Sequence, residues 1–203
     1  MKQLIKNALI LTAITLVSGL LLGLVYEITK EPIAESKKKA KQEAYQQVLP
    51  KAKEFVLYKD FDEKSAAEIM TNAAMEGCRV DEVIEAKAKN TIIGYVITTT
   101  SSEGYGGDIQ ISVGIMTDGT VNGIAILSIG ETVGLGMKAS EPEFYGQFAD
   151  KQVELFKVKK NGADAYDEVD ALSGATITSE AFTNAVNAAL VYFHNEIGGS
   201  AIE

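Results

Sequence analysis

The sequence predicts an α+β protein, with one N-terminal transmembrane helix followed by an antiparallel-sheet domain that carries packed helices. Three observations lead there. From Ala8 to Tyr26 no residue is charged, and leucine, isoleucine, valine and alanine dominate, a run close to the ~20 residues that cross hydrocarbon. Between Val83 and Leu127 the pattern turns to β-branched runs joined by short turns. Near the C-terminus Phe182, Val186, Leu190 and Phe193 recur at helical spacing with Ala185 and Ala189 beside them, the stripe of one apolar helix face.

Residues 1–7 read as a short tail and 8–26 as the membrane span. A cleaved signal peptide would have a shorter apolar region, about 7–15 residues, and a small-x-small cleavage site. Neither stands out, and no cysteine follows for lipidation, so the segment reads as an uncleaved anchor. Lys2 and Lys6 on one side face Lys30 and Lys37-Lys38-Lys39-Ala40-Lys41 on the other, which leaves orientation open by charge. Residues 27–50 read as a helical stalk: Pro32 suits a first helical turn, Ile33 to Val48 is rich in Lys, Ala, Glu and Gln, and Pro50 stops it. Its lysines form a solvated face or meet anionic headgroups.

Residues 51–203 form the remaining domain. Ala52 to Cys78 mixes short helical and polar patterns that name no chemistry. Ile92 to Thr100 and Ile109 to Met116 read as strands, and Asp118-Gly119 is a hairpin turn into a third, Val121 to Leu127. Gly104-Tyr105-Gly106-Gly107 joins the first two, either as a flexible turn or as a backbone surface beside a ligand that Tyr105 shields. Glu131-Thr132-Val133-Gly134-Leu135-Gly136 is a glycine-punctuated loop between a strand and the helical stretch Phe144 to Phe148.

The most telling segment is Asp170-Ala171-Leu172-Ser173-Gly174-Ala175-Thr176. Ser173, Gly174 and Ala175 leave room for a bulky group against the backbone, and Gly174 permits dihedrals that other residues avoid. Thr176 is expected to present its hydroxyl at the loop tip. A helix from Ser179 to Glu196, N-capped by Thr178 or Ser179, would favour a phosphate on or near Thr176 through its free N–H groups and dipole.

An aspartate three residues before Ser-Gly-Ala-Thr resembles the flavinylation motif of the FMN-binding domains in the G subunit of the Rnf complex and the C subunit of the sodium-translocating NADH:quinone reductase. The 131–136 loop resembles that family's Glu-Thr-Pro-Gly-Leu-Gly, with Val133 where proline is usual, and the stretch after it resembles Phe-x-x-Gln-Phe. The Gly-Tyr-Gly-Gly run also recurs there. The resemblance implies covalent FMN on Thr176 through a phosphoester, with Asp170, Ser173, Gly174 and Ala175 read by an FMN transferase. Thr178 ranks second as acceptor. Glu131, Thr132, Gly134, Leu135 and Gly136 are the implied cofactor-binding residues of the second loop. Without proline the loop loses a fixed φ and is expected to be looser. Lys138 reads as a solvated lysine, with phosphate or the reduced flavin as the alternative.

The formal net charge of −9 argues against nucleic acid, since an acidic surface repels phosphate. Cys78 is the single cysteine and His194 the single histidine, too few to hold a metal or an iron–sulfur cluster. No residue reads as an acid, base or nucleophile for a diffusible substrate, so no catalytic residue is assigned. The resemblance, closer by length to the Rnf protein, implies a membrane-anchored electron carrier between ferredoxin and NAD redox subunits in ion-translocating electron transport. Its partners are the other membrane and redox subunits, the FMN transferase and membrane lipid. It also implies a cytoplasmic 1–7 tail and an extracytoplasmic 51–203 domain at the cell membrane. The alternatives are an anchored assembly module without flavin and a stand-alone extracytoplasmic flavin reductase.

Overall fold

The computed structural model describes residues 1–160 and 162–198; the end of the expected outer domain, 199–203, lies outside the described residues. Contacts divide the chain into two compact units, with the boundary after Gln42.

Helix α1 runs from Lys2 to Val48, about 70 Å at about 1.5 Å per residue. Its apolar window has a mean hydropathy of 2.5, and none of that window is buried. Leucines such as Leu9, Leu16 and Leu22 stand exposed, an apolar surface of a size that soluble proteins avoid. Hydrocarbon is the solvent that satisfies it, and the ~30 Å core is matched by the uncharged run alone. Two hydroxyls in the run are internally satisfied, Thr12 Oγ1 donating to Ala8 O at 2.9 Å and Thr15 Oγ1 to Leu11 O at 3.1 Å, as a medium without water requires. Pro32 lies inside this helix and does not start a new one, contrary to the sequence expectation. It forfeits one backbone bond, while good helix formers on both sides carry the helix through.

The second unit is built on a five-stranded antiparallel meander: β1 Glu54–Leu57, β2 Cys78–Ala88, β3 Thr91–Ser101, β4 Ile109–Met116 and β5 Val121–Ser128, in that spatial order. Helix α2, Glu63–Asn72, links the first two and is capped by Asp62, whose Oδ2 accepts from Ser65 N–H at 2.9 Å. Alternation along β3 sets two faces. Ile97 joins the core under the C-terminal helix, while Val96 joins a second cluster with Tyr45, Val48, Leu49 and Ala125. The last turn of α1 is therefore part of this unit. Gly114 permits it, because a Cβ there would lie 2.7 Å from Val48 O.

After β5 come the 3-10 turn Gly136–Ser140, the short α3 Pro142–Tyr145 and a second 3-10 turn Gly146–Phe148. Two short parallel strands follow, β6 Lys157–Lys159 and β7 Glu168–Asp170. Helix α4 spans Thr176–Tyr192 and continues as a π-helical turn, Phe193–Ile197. Its expected stripe is buried throughout, with Phe182, Val186 and Leu190 fully enclosed. The stripe understates it, however: Ala181, Thr183, Asn187 and Ala188 are buried as well. Asn187 explains the second buried side. Its Oδ1 accepts from Phe156 N–H at 2.8 Å and its Nδ2 donates to Phe156 O at 2.9 Å, pinning the chain that precedes β6 onto the helix.

Candidate cofactor site

Two glycine-rich loops far apart in sequence meet at the start of α4. Residues Tyr105, Glu131, Thr132, Leu135, Gly136 and Gly174 to Thr178 line one cleft of about 590 Å³, within the range of roughly 300–1,000 Å³ typical of small-molecule sites. An aromatic cluster holds the loops together. Phe144 lies edge-on to Phe182 of α4 at 5.3 Å between centroids, and Phe148 contacts both Phe156, at 4.9 Å, and Phe182, at 5.7 Å. The stretch after the first loop is thereby fastened to the helix that carries the second.

The 131–136 loop is closed by Leu135 N–H and Met137 N–H, both donating to Thr132 O at 3.1 and 3.2 Å. Neither bond involves residue 133, so the closure stands with valine in place of proline. Gly134 adopts φ +79 in open space, whereas a Cβ on Gly136 would meet Thr178 Oγ1 at 2.6 Å and Glu131 Oε2 at 2.8 Å. Gly104 and Gly106 pack against Glu131 Oε1 and against the backbone at Gly130, which is why the run around Tyr105 needs glycines. Glu131 is only 6% exposed, and its buried Oε1 has no hydrogen-bond partner among the described residues. A buried unpaired carboxylate oxygen is costly, and here it borders a cleft. Lys138 is exposed and does not line that cleft.

The Ser-Gly-Ala-Thr segment departs from expectation in two respects. Ser173 and Gly174 occupy the exposed tip, Gly174 with φ +77, while Thr176 is already the first residue of α4 and is half-buried at the cleft. The N-cap is Ala175, which offers no side-chain acceptor, and not Thr178 or Ser179. Ser179 Oγ instead accepts from Leu172 N–H at 2.9 Å and donates to Ala175 O at 3.0 Å, tying the loop across its base. Ser179 N–H bonds Ala175 O, so the first-turn N–H groups of Thr176, Ile177 and Thr178 remain without helical partners. Uncapped amides at the positive end of a helix favour an anion. Thr178 is only 1% exposed, enclosed where Thr176 is reachable.

Asp170 does not line the cleft. Its Oδ1 accepts from Ala163 N–H at 2.6 Å, and its N–H donates to Gln147 Oε1 at 2.7 Å. Sequence reasoning assigned Gln147 no role; its signal was one glutamine inside the Phe144 to Phe148 stretch. An unpartnered carboxylate oxygen, open helix amides and a roomy cleft with exposed apolar side chains at Tyr105, Leu135 and Ile177 together fit a planar ring bearing a phosphate.

Comparison with known proteins gives the same reading. The FMN-binding domain family matches residues 104–191, and the RnfG N-terminal region matches residues 1–48. The G subunit of the Na(+)-translocating ferredoxin:NAD(+) oxidoreductase complex of Acetobacterium woodii is 37% identical, with 96% of this chain and 93% of the relative aligned. The G subunit of the ion-translocating oxidoreductase complex of Methanosarcina acetivorans is 30% identical over 97% and 98% of the two chains. The counterpart in the proton-translocating ferredoxin:NAD(+) oxidoreductase complex of Clostridium ljungdahlii is 31% identical over 93% and 91%. Among solved structures, Shewanella oneidensis NqrC shares the fold at a TM-score of 0.52 and 19% identity, covering 77% of this chain and 88% of its own.

Proposed function

The chain belongs to the G-subunit family of Rnf-type ion-translocating oxidoreductase complexes, and from that membership we propose that its FMN is carried covalently on Thr176, in a domain outside the cytoplasmic membrane. It is a membrane-anchored electron-transfer subunit with an FMN-binding domain. Bound there, FMN supplies reversible electron transfer, and the protein's contribution is attachment, orientation and electrostatics.

The observation that carries the attachment reading is the convergence on one cleft of a half-buried Thr176, the uncapped amides of α4 and Glu131, whose buried Oε1 lacks a partner among the described residues. Thr176 Oγ would bond to phosphorus and release its proton to solvent as the anhydride of a flavin dinucleotide breaks and AMP leaves. The amides of Thr176 to Thr178 would hold the phosphate, and Glu131, Thr132, Leu135, Gly136 and Tyr105, which line the same cleft, would hold the ring. Asp170, Ser173, Gly174 and Ala175 form the segment that a transferase reads. The other proteins of the complex are its redox and membrane partners, and lipid surrounds residues 8–26.

The test is intact mass and peptide fragmentation of protein from a host carrying an FMN transferase, with in-gel flavin fluorescence alongside. One FMN phosphoester on Thr176 is expected, with complete loss of fluorescence and retained folding in Thr176→Ala. An unmodified wild-type peptide, or flavin persisting covalently in Thr176→Ala, would overturn the assignment. Protease added to intact spheroplasts should digest the domain beyond Gln42; protection there would reverse the orientation.

A further inference from the structure

We infer that Gln147 is a positioning residue for flavin attachment, holding the entry to the acceptor loop from outside the acceptor segment; this rests on the reading of Thr176 as the acceptor. Three successive amides are fixed where the chain leaves β7. Asp170 N–H donates to Gln147 Oε1 at 2.7 Å, Ala171 N–H to Lys159 O at 2.7 Å, and Leu172 N–H to Ser179 Oγ at 2.9 Å. Immediately afterwards the chain is exposed at Ser173 and Gly174. The entry is clamped and the tip is left open to a visiting enzyme.

Of the three acceptors only Gln147 is a side chain from outside β6, β7 and α4. Its amide also donates back, Nε2 to Asp170 O at 3.4 Å, so both main-chain groups of one residue are engaged. Its own position is set by its neighbours, since Phe144 and Phe148 are 2% and 0% exposed in the aromatic cluster around Phe182. Gln147 thus transmits the placement of the core to the first residue of the acceptor segment, and through it to the β6 and β7 pairing of Lys159 with Asp170. Freed from that hold, the segment samples more conformations, and a transferase must order it before Thr176 Oγ reaches phosphorus.

The experiment measures covalent labelling of the purified full chain in detergent by a purified FMN transferase supplied with flavin dinucleotide, comparing wild type, Gln147→Leu and Gln147→Glu. Gln147→Leu removes both bonds, of which the one at 3.4 Å contributes little, and should lower kcat/KM for labelling about tenfold, the scale of the one short hydrogen bond lost. Gln147→Glu keeps the short acceptor bond and should stay within about threefold of wild type. Amide exchange should rise in Gln147→Leu only around residues 168–175. Labelling of Gln147→Leu at the wild-type rate overturns the proposal, as does slow labelling accompanied by loosened exchange throughout the domain. An unlabelled wild type overturns the Thr176 reading and the proposal with it, so the two failures are distinguishable.

Discussion

The two glycines of the 131–136 loop should fail for different physical reasons when each is replaced by alanine. Gly134 stands at φ +79 with nothing within 4 Å of where a Cβ would lie, so Gly134→Ala meets no neighbour and carries only the left-handed backbone penalty of about 1–2 kcal/mol. Part of that is offset, by about 0.4–1 kcal/mol, because alanine narrows the unfolded ensemble. Gly136 is the reverse: its Cβ would press on Thr178 Oγ1 at 2.6 Å and on the Glu131 side chain at 2.8 Å. Overpacking of this kind costs about 1–3 kcal/mol, and it displaces two side chains that line the cleft. For a domain of this size each kcal/mol moves Tm by about 2–4 °C. Both variants should therefore melt a few degrees below wild type, while only Gly136→Ala loses flavin. The assay pairs thermal melting in detergent with in-gel flavin fluorescence after co-expression with the transferase. Equal flavin loss in both variants, or full occupancy in Gly136→Ala, would refute the reasoning that Gly136 shapes the cleft and Gly134 only the turn.

Asn187→Leu should lower stability by about 1–3 kcal/mol for each Phe156 backbone group left unpaired in the buried interior, read as a reduced urea midpoint; an unchanged midpoint would mean that water replaces the clamp. His194, half-buried in the π-helical turn, has its pKa lowered by burial from the ordinary 6.5, with Glu154 opposing. Stability from its neutral form is present above the ordinary value and lost as pH falls through the depressed one, so Tm should drop on acidification from about pH 7 to about pH 5. His194→Gln should flatten that slope, and an unaltered slope would assign the acid response to other groups.

The strands from Thr91 to Ser128 and the α4 stripe were legible because β-branched alternation and helical periodicity are local signals. Strand β1 and the start of β2 were missed, since Glu54 to Leu57 and Cys78 to Asp81 carry little apolar periodicity of their own. Their strand state comes from pairing with β2 and β3. Strands β6 and β7, three residues each, give no periodicity to read. Both loops of the site were visible as glycine-rich segments with an acidic or hydroxyl residue in fixed register. Their meeting was implied only by the family resemblance, since its physical cause, Phe144, Phe148 and Phe182 stacking across the fold, leaves no local signal. The Ala175 cap escaped for a related reason: Ser179 looks like a cap in sequence, yet its hydroxyl is engaged by Leu172 and Ala175.

That engagement bears on the choice of acceptor. Thr176 and Thr178 offer the same hydroxyl chemistry two positions apart on one helix, and Ser179 offers a third alcohol. Chemistry alone does not separate them, but access does. Ser179 is fully buried with both hydrogen-bonding roles of its hydroxyl in use, and Thr178 is 1% exposed against the Gly136 and Glu131 contact. A transferase approaching from solvent meets the exposed Ser173 and Gly174 first and then Thr176. Moving the helix start forward by three residues, to Thr176 itself, therefore does more than shift a boundary. It places Thr176 beside the uncapped amides that favour phosphate, so what separates Thr176 from the more exposed Ser173 hydroxyl is not reach but the place where a transferred phosphate would be held.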